Sequence, residues 1–89
     1  MDFGEALEEL RHSKRIRREG WRRKGMCIYL EEYLKFSYIN WETGRTQYVK
    51  CEPCIVSVTA NGKYQPGWCP SQADLFAYDW EIVPLDEKQ

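Results

Sequence analysis

The chain has 89 residues, 43% hydrophobic and 15% aromatic, which is too apolar for a disordered tail and leaves room for one small domain over residues 1–89. Its net charge of −1 argues against a general binder of long nucleic acid, and no apolar run approaches the roughly 20 residues that cross a bilayer. The acidic opening Met1-Asp2-Phe3-Gly4-Glu5 is unlike a secretory signal, so the expected location is the cytoplasm, with reduced thiols.

Phe3, Ala6, Leu7 and Leu10 recur at helical spacing, with Glu5, Glu8, Glu9 and Arg11 on the other side, and predict a short amphipathic helix that stops near Ser13. Asp2 and Glu5 form a capping-box pattern at its start. Lys14 to Arg18 is too charged for a buried strand and reads as an edge strand or extended segment leading to Gly20-Trp21. The continuous apolar run Gly25 to Leu30 is the candidate central strand. Leu34 to Trp41 and Thr46 to Lys50 read as a hairpin around Glu42-Thr43-Gly44-Arg45, with Leu34, Phe36 and Tyr38 on one face. Cys54 to Thr59 and Lys63-Tyr64-Gln65 form a second hairpin around Asn61-Gly62, the strongest turn signal in the chain. Ser71 and Asp74 make another capping box, opening a helical turn from Gln72 to Ala77. Asp79 to Val83 is the last strand, with Trp80 and Ile82 on one face. The sum is an α+β fold: an N-terminal helix, a mainly antiparallel sheet, and a short helix before the last strand.

Charge is unevenly placed. Eight of the thirteen Lys and Arg residues lie between Arg11 and Lys24, with Glu19 the only acid among them, while from Cys51 onward six acids accompany two bases. A basic patch beside an acidic remainder suits a small anionic ligand better than a long polyanion. The same charges also suit a solvated strand, or pairing with acids of a neighbouring subunit.

Groups for catalysis are scarce. The single histidine, His12, ends a charged helix, where a dipole contact accounts for it. No phosphate-cradling glycine loop, nucleophile elbow or His-x-x-x-His pair occurs. Cys51-Glu52-Pro53-Cys54 has metal-ligand spacing, and with Cys27 and Cys69 offers four thiolates for a zinc site; ordinary reduced cysteines explain the same residues. No cofactor is expected.

The aromatic content is the more distinctive feature, with four Trp, six Tyr and three Phe. Burial is the default for Trp80 and Phe36. Trp21 and Trp68 sit beside glycines at loop edges, Trp21 next to Arg22-Arg23-Lys24 and Trp68 next to the Pro70-Ser71 helix start. An indole face for a base, arginine for phosphate and backbone N–H groups at a helix start together suit a nucleotide.

Two blocks carry a family resemblance. Asp2 to Leu10, followed by Arg17-Arg18-Glu19-Gly20-Trp21 and Gly25 to Leu30, resembles the opening of the second type of Thoeris anti-defence protein, and Trp68 to Val83 resembles its close. The resemblance implies a phage or prophage protein that sequesters immune nucleotide second messengers without cleaving them. It implies an antiparallel α+β subunit in a homotetramer, with pockets between subunits for cyclic ADP-ribose isomers such as glycocyclic ADP-ribose. Some relatives also take cyclic di- or trinucleotides at separate sites. Carried over by residue, Trp21 stacks on adenine, while Trp68, Ser71 and Asp74 serve phosphate and ribose hydroxyls from the second block. Asp79 is a further candidate for the hydroxyls, and Arg22 is chosen because a diphosphate needs a cation. Residues Tyr33 to Cys54 depart from the pattern and leave the messenger open. The alternative is a small zinc-stabilised module that contacts protein or nucleic acid through its basic half. A messenger-cleaving enzyme is disfavoured by the lack of an acid/base pair.

Overall fold

The computed structural model describes residues 1–87. Helix α1 (Phe3–Arg11) starts at Asp2, with both capping-box bonds formed: Glu5 N–H donates to the Asp2 carboxylate at 2.8 Å and Asp2 N–H to the Glu5 carboxylate at 3.0 Å. It ends before a left-handed Ser13 (φ 64°), with Lys14 N–H donating back to Glu9 O at 3.1 Å. The chain continues as β1 (Ile16–Arg18), a 3₁₀ turn at Glu19–Trp21, β2 (Cys27–Glu31), β3 (Lys35–Asn40) and β4 (Arg45–Lys50). After these come β5 (Cys54–Val58), β6 (Tyr64–Pro66), α2 (Gln72–Phe76) and β7 (Trp80–Ile82). The α+β reading and the short helix before the last strand hold.

Five strands pair antiparallel in the order β6-β5-β2-β1-β7, which puts the apolar run of β2 in the middle of the sheet, as its sequence predicts. The core lies on both faces. Ala6 and Leu10 of α1 pack on Ile16, Ile28 and Trp80, while Cys27, Val58 and Val83 gather on the opposite face with Tyr29 beside them. A fully buried Leu or Ile side chain contributes about 1.5–3 kcal/mol, so α1 is held chiefly by this apolar face.

Two expectations need correction. The basic segment is not an edge: β1 lies between β2 and β7, and Arg17 is 4% exposed. Its charges tolerate an interior strand because the region from Asp74 to Glu87 returns carboxylates to them. Trp80 and Ile82 lie two residues apart in β7 and so share a face as read, although Ile82 ends the strand at 40% exposure, and Val83 is buried on the other face. The β3–β4 hairpin forms as read, with Phe36 opposite Val49 and Tyr38 opposite Gln47, but buries neither face. It is a separate two-stranded sheet, and the molecule is accordingly elongated, 50 × 25 × 24 Å.

Candidate functional site: a tryptophan-walled groove

The fully buried Trp80 organises the region that holds most of the candidate residues. Its indole N–H donates to Asp74 O at 2.9 Å, tying β7 to α2. Trp21 meets it edge-on at 5.3 Å between ring centroids, Trp68 meets it at 6.2 Å, and Trp21 and Trp68 lie 6.3 Å apart. Phe3 of α1 closes the cluster at 5.4 Å from Trp80. Edge-to-face geometry of this kind stabilises aromatic pairs beyond the area they bury.

Local backbone devices deliver the two outer indoles. The 3₁₀ turn Glu19–Trp21 places Trp21 at the end of β1. Gly67, at φ 90°, adopts a left-handed conformation that a side chain disfavours, and its N–H and that of Trp68 both donate to Ile55 O at 2.9 Å. Two residues opposite one carbonyl kink the chain and turn Trp68 over the sheet.

Trp21 and Trp68 thus stand together, half-buried, as one wall of a groove of about 390 Å³; Ser57, Thr59, Asn61 and Gln65 of the second hairpin are among the residues across it. These polar residues were not among the sequence candidates. A signal existed in the small hydroxyl residues that interrupt the apolar strand, Ser57 and Thr59, next to Asn61-Gly62. A second hollow of about 400 Å³ contains Gly20, Arg22, Arg23 and Asp79. The turn at Glu19–Trp21 separates the two, with Trp21 in the groove and Arg22 in the hollow.

The charged candidates are engaged within the chain. Arg18 bridges Asp74 at 3.0 Å and Asp79 at 2.7 Å. Ser71 N–H donates to Asp74 at 2.9 Å and the Ser71 hydroxyl accepts from Asp74 N–H at 3.1 Å, completing the capping box of α2. Burial pushes the Asp74 carboxyl up, but the bonds from Ser71 and Arg18 outweigh it and hold its pKa below the ordinary value. Asp79 meets Arg18 through Oδ1; its Oδ2 has no hydrogen-bond partner among the described residues. Arg22 forms a two-pronged pair with Glu81, at 2.7 and 2.8 Å, outside the Trp21–Trp68 groove. His12 caps α1, its Nδ1 2.9 Å from Glu8 O.

The cysteine set does not assemble. Cys27 pairs with Val58 and Cys54 with Glu31, at opposite ends of the β2–β5 ladder, and four residues of strand span about 13 Å. Among the described residues no three His, Cys, Asp or Glu side chains gather to hold a metal. Burial pushes the Cys27 thiol pKa up, against the opposing contact from Arg15. No helix of the described residues is long and apolar enough to cross a membrane.

The class of protein is defined by its domain: residues 1–83 match the Thoeris anti-defense 2-like domain, and the chain is a member of that family. Among its relatives is Thoeris anti-defense 2 of Bacillus phage SP01, which is 36% identical over 87 residues, covering 93% of this chain and 94% of that protein. The family membership supports a phage anti-defence role. It also accords with the resemblance carried by the two sequence blocks, which together contain the three tryptophans of the cluster.

Proposed function

We propose that this protein counters bacterial immunity by holding a nucleotide second messenger, a cyclic ADP-ribose isomer such as glycocyclic ADP-ribose in preference to a cyclic dinucleotide, without cleaving it. The observation that carries the reading is the pair of indoles, Trp21 and Trp68, walling one groove in a chain of an anti-defence family. An adenine stacked on an aromatic side chain gains about 1–3 kcal/mol, and the amide and hydroxyl groups opposite are suited to base edges and ribose hydroxyls. Across the 3₁₀ turn, Arg23 supplies a cation for a diphosphate, Arg22 joins it by exchanging Glu81 for phosphate oxygens, and Asp79 supplies an acceptor for a ribose hydroxyl. Ser71 and Asp74 support this arrangement through Arg18 and the α2 cap.

Sequestration requires the messenger to stay bound in competition with its receptor, and nanomolar affinity corresponds to about 12 kcal/mol. An open groove on one subunit falls short of that, so the functional form is a homotetramer in which neighbouring subunits close the grooves. The support for assembly is the β3–β4 hairpin, which carries Phe36, Tyr38, Ile39 and Tyr48 about half or more exposed. Cytoplasmic location in the infected cell follows from the same reading.

The test is calorimetric titration with a panel of glycocyclic ADP-ribose isomers and cyclic dinucleotides, followed by heating the complexes and identifying the released compound. Tight binding with intact release is expected, and silence across the panel or release of a cleavage product overturns the proposal. Trp68→Ala, in protein shown by circular dichroism to keep its fold, is expected to weaken binding by about 1–3 kcal/mol. Unchanged affinity would remove the groove from the reading.

A further inference from the structure

On the sheet face opposite the tryptophan cluster, Arg17 is the one charged residue buried among the described residues, at 4% exposure. Both terminal nitrogens of its guanidinium are taken by one carboxylate, Glu87, the Nη2–Oε1 distance being 3.0 Å and the Nη1–Oε2 contact shorter. Its buried Nε lies 3.5 Å from the Glu81 carboxylate but has no hydrogen-bond partner among the described residues. Glu87 lies beyond residues 1–83, the stretch that matches the family.

The segment that brings Glu87 to Arg17 is weakly fastened. Leu85 is 97% exposed and provides no apolar anchor, and the backbone of the segment closes a single turn through Glu87 N–H to Pro84 O at 3.1 Å. The carboxylate on Arg17 is therefore its principal attachment, and Glu87 itself is 43% exposed at the side chain. The bond to Arg17 holds the Glu87 carboxyl below the usual range, so it is an anion at neutral pH.

Beside this pair lies a cavity of about 310 Å³ whose lining includes Lys14, Arg15, Val83, Leu85 and Glu87. Arg15 differs from Arg17, Arg18 and Arg22 in having no carboxylate partner among the described residues. Its guanidinium sits 4.5 Å over the Tyr29 ring and 5.6 Å from that of Tyr64, and donates to Tyr64 Oη at 3.4 Å and Cys27 Sγ at 3.7 Å. Aromatic rings hold the cation in place without neutralising it. Lys14, Arg15 and Glu87 thus line one cavity, and Arg17 holds the Glu87 carboxylate there, with Glu81 3.5 Å from the Arg17 Nε.

We infer that Arg17, Arg15 and Lys14 form a binding site for a phosphate or pyrophosphate group, and that Glu87 occupies it as a displaceable internal anion. A two-pronged guanidinium–carboxylate pair has the geometry that arginine also offers to phosphate oxygens, so one anion can replace the other without rebuilding the site. The site is separate from the tryptophan groove and does not depend on the messenger reading.

The experiment titrates the full chain and Glu87→Gln with inorganic pyrophosphate at low ionic strength, reading affinity by calorimetry and the Arg17 Nε–H resonance by NMR. An internal occupant lowers the apparent affinity by the fraction of time it holds the site. Glu87→Gln is expected to bind pyrophosphate about tenfold more tightly than the unaltered chain, with the Arg17 Nε–H resonance moving in both. Adding Lys14→Gln, an exposed position, is expected to weaken that gain about two- to threefold. Equal affinities with and without Glu87, a stationary Arg17 resonance at saturation, or no binding by either protein overturns the inference. A parallel titration with ADP, followed at the Arg17 Nε–H resonance so that binding in the tryptophan groove is not counted, distinguishes the sources: tighter binding than pyrophosphate at that resonance assigns the site to a nucleotide, and equal binding to the bare anion. Because cyclic ADP-ribose isomers are absent from this experiment, its failure leaves the messenger reading standing, and the reverse also holds.

Discussion

The second hairpin, β5–β6, and the first, β3–β4, are built from similar materials and meet different fates. Both alternate apolar and polar residues around a glycine turn, and both pair antiparallel in the register their turns dictate. Yet Val56 and Val58 are 2% exposed, whereas Phe36 and Tyr38 are about half exposed and Ile39 and Tyr48 more so. The difference is the neighbour. β5 forms a five-residue ladder with the central strand β2, while β3 and β4 pair only with each other. An isolated two-stranded ribbon is marginal in water, and this one also sets Lys35 directly opposite Lys50, a repulsive arrangement. Alternation specifies a strand with two faces, but burial needs a second element to cover one of them.

The sharpest break of that comparison is Trp80→Ala, in the body. Trp80 is 2% exposed and holds Trp21, Trp68 and Phe3 around it, so its loss is expected to cost about 3–5 kcal/mol in urea denaturation. Arg18→Met comes next. It leaves Asp74 and Asp79 without their shared cation at a partly buried site and is expected to cost about 1–3 kcal/mol at pH 7. The pH dependence has a defined sign. The folded Asp74 pKa lies below the unfolded value of about 3.9, so its stabilisation is present above that pH and is lost as pH falls through the folded value. Denaturation between about pH 5 and pH 2 should therefore show a smaller acid-induced loss in Arg18→Met than in the unaltered chain. The smallest effect on stability belongs to the hairpin. Ile39→Ser with Tyr48→Ser is expected to change unfolding of the body by no more than about 0.5 kcal/mol per position, while lowering the mass measured by light scattering if the hairpin assembles subunits. A loss of body stability comparable to that of Trp80→Ala would show that the hairpin is folded onto it.

Much of the architecture was legible because it rests on interactions close in sequence. The capping boxes at Asp2–Glu5 and Ser71–Asp74 span three residues each, and all four of their bonds form. The Asn61-Gly62 turn needs a left-handed residue, and Gly62 supplies φ 76°. The apolar run of β2 marks the strand buried on both faces. For the candidate site, Trp21 and Trp68 were visible as tryptophans beside glycines, and the structure brings them together although 47 positions separate them in the sequence. The polar wall of their groove was missed because Ser57, Thr59 and Gln65 look like ordinary strand residues until the second hairpin lies beside the indoles.

The sequence by itself determined where helices start, which run forms the central strand and where the hairpins turn, since caps, apolar runs and glycine turns act over a few residues. Only the tertiary structure decided that a basic segment lies inside the sheet, because the acids that make this tolerable arrive from 56 to 70 positions away. It likewise decided which cations are already satisfied: Arg18 by two aspartates, Arg22 by Glu81, Arg17 by Glu87, and Arg15 by the Tyr29 and Tyr64 rings, the Tyr64 hydroxyl and the Cys27 sulfur, without a carboxylate among the described residues. Charge counts along a chain give the supply of ions, but pairing is settled within a few ångströms, and that distance is set by the fold.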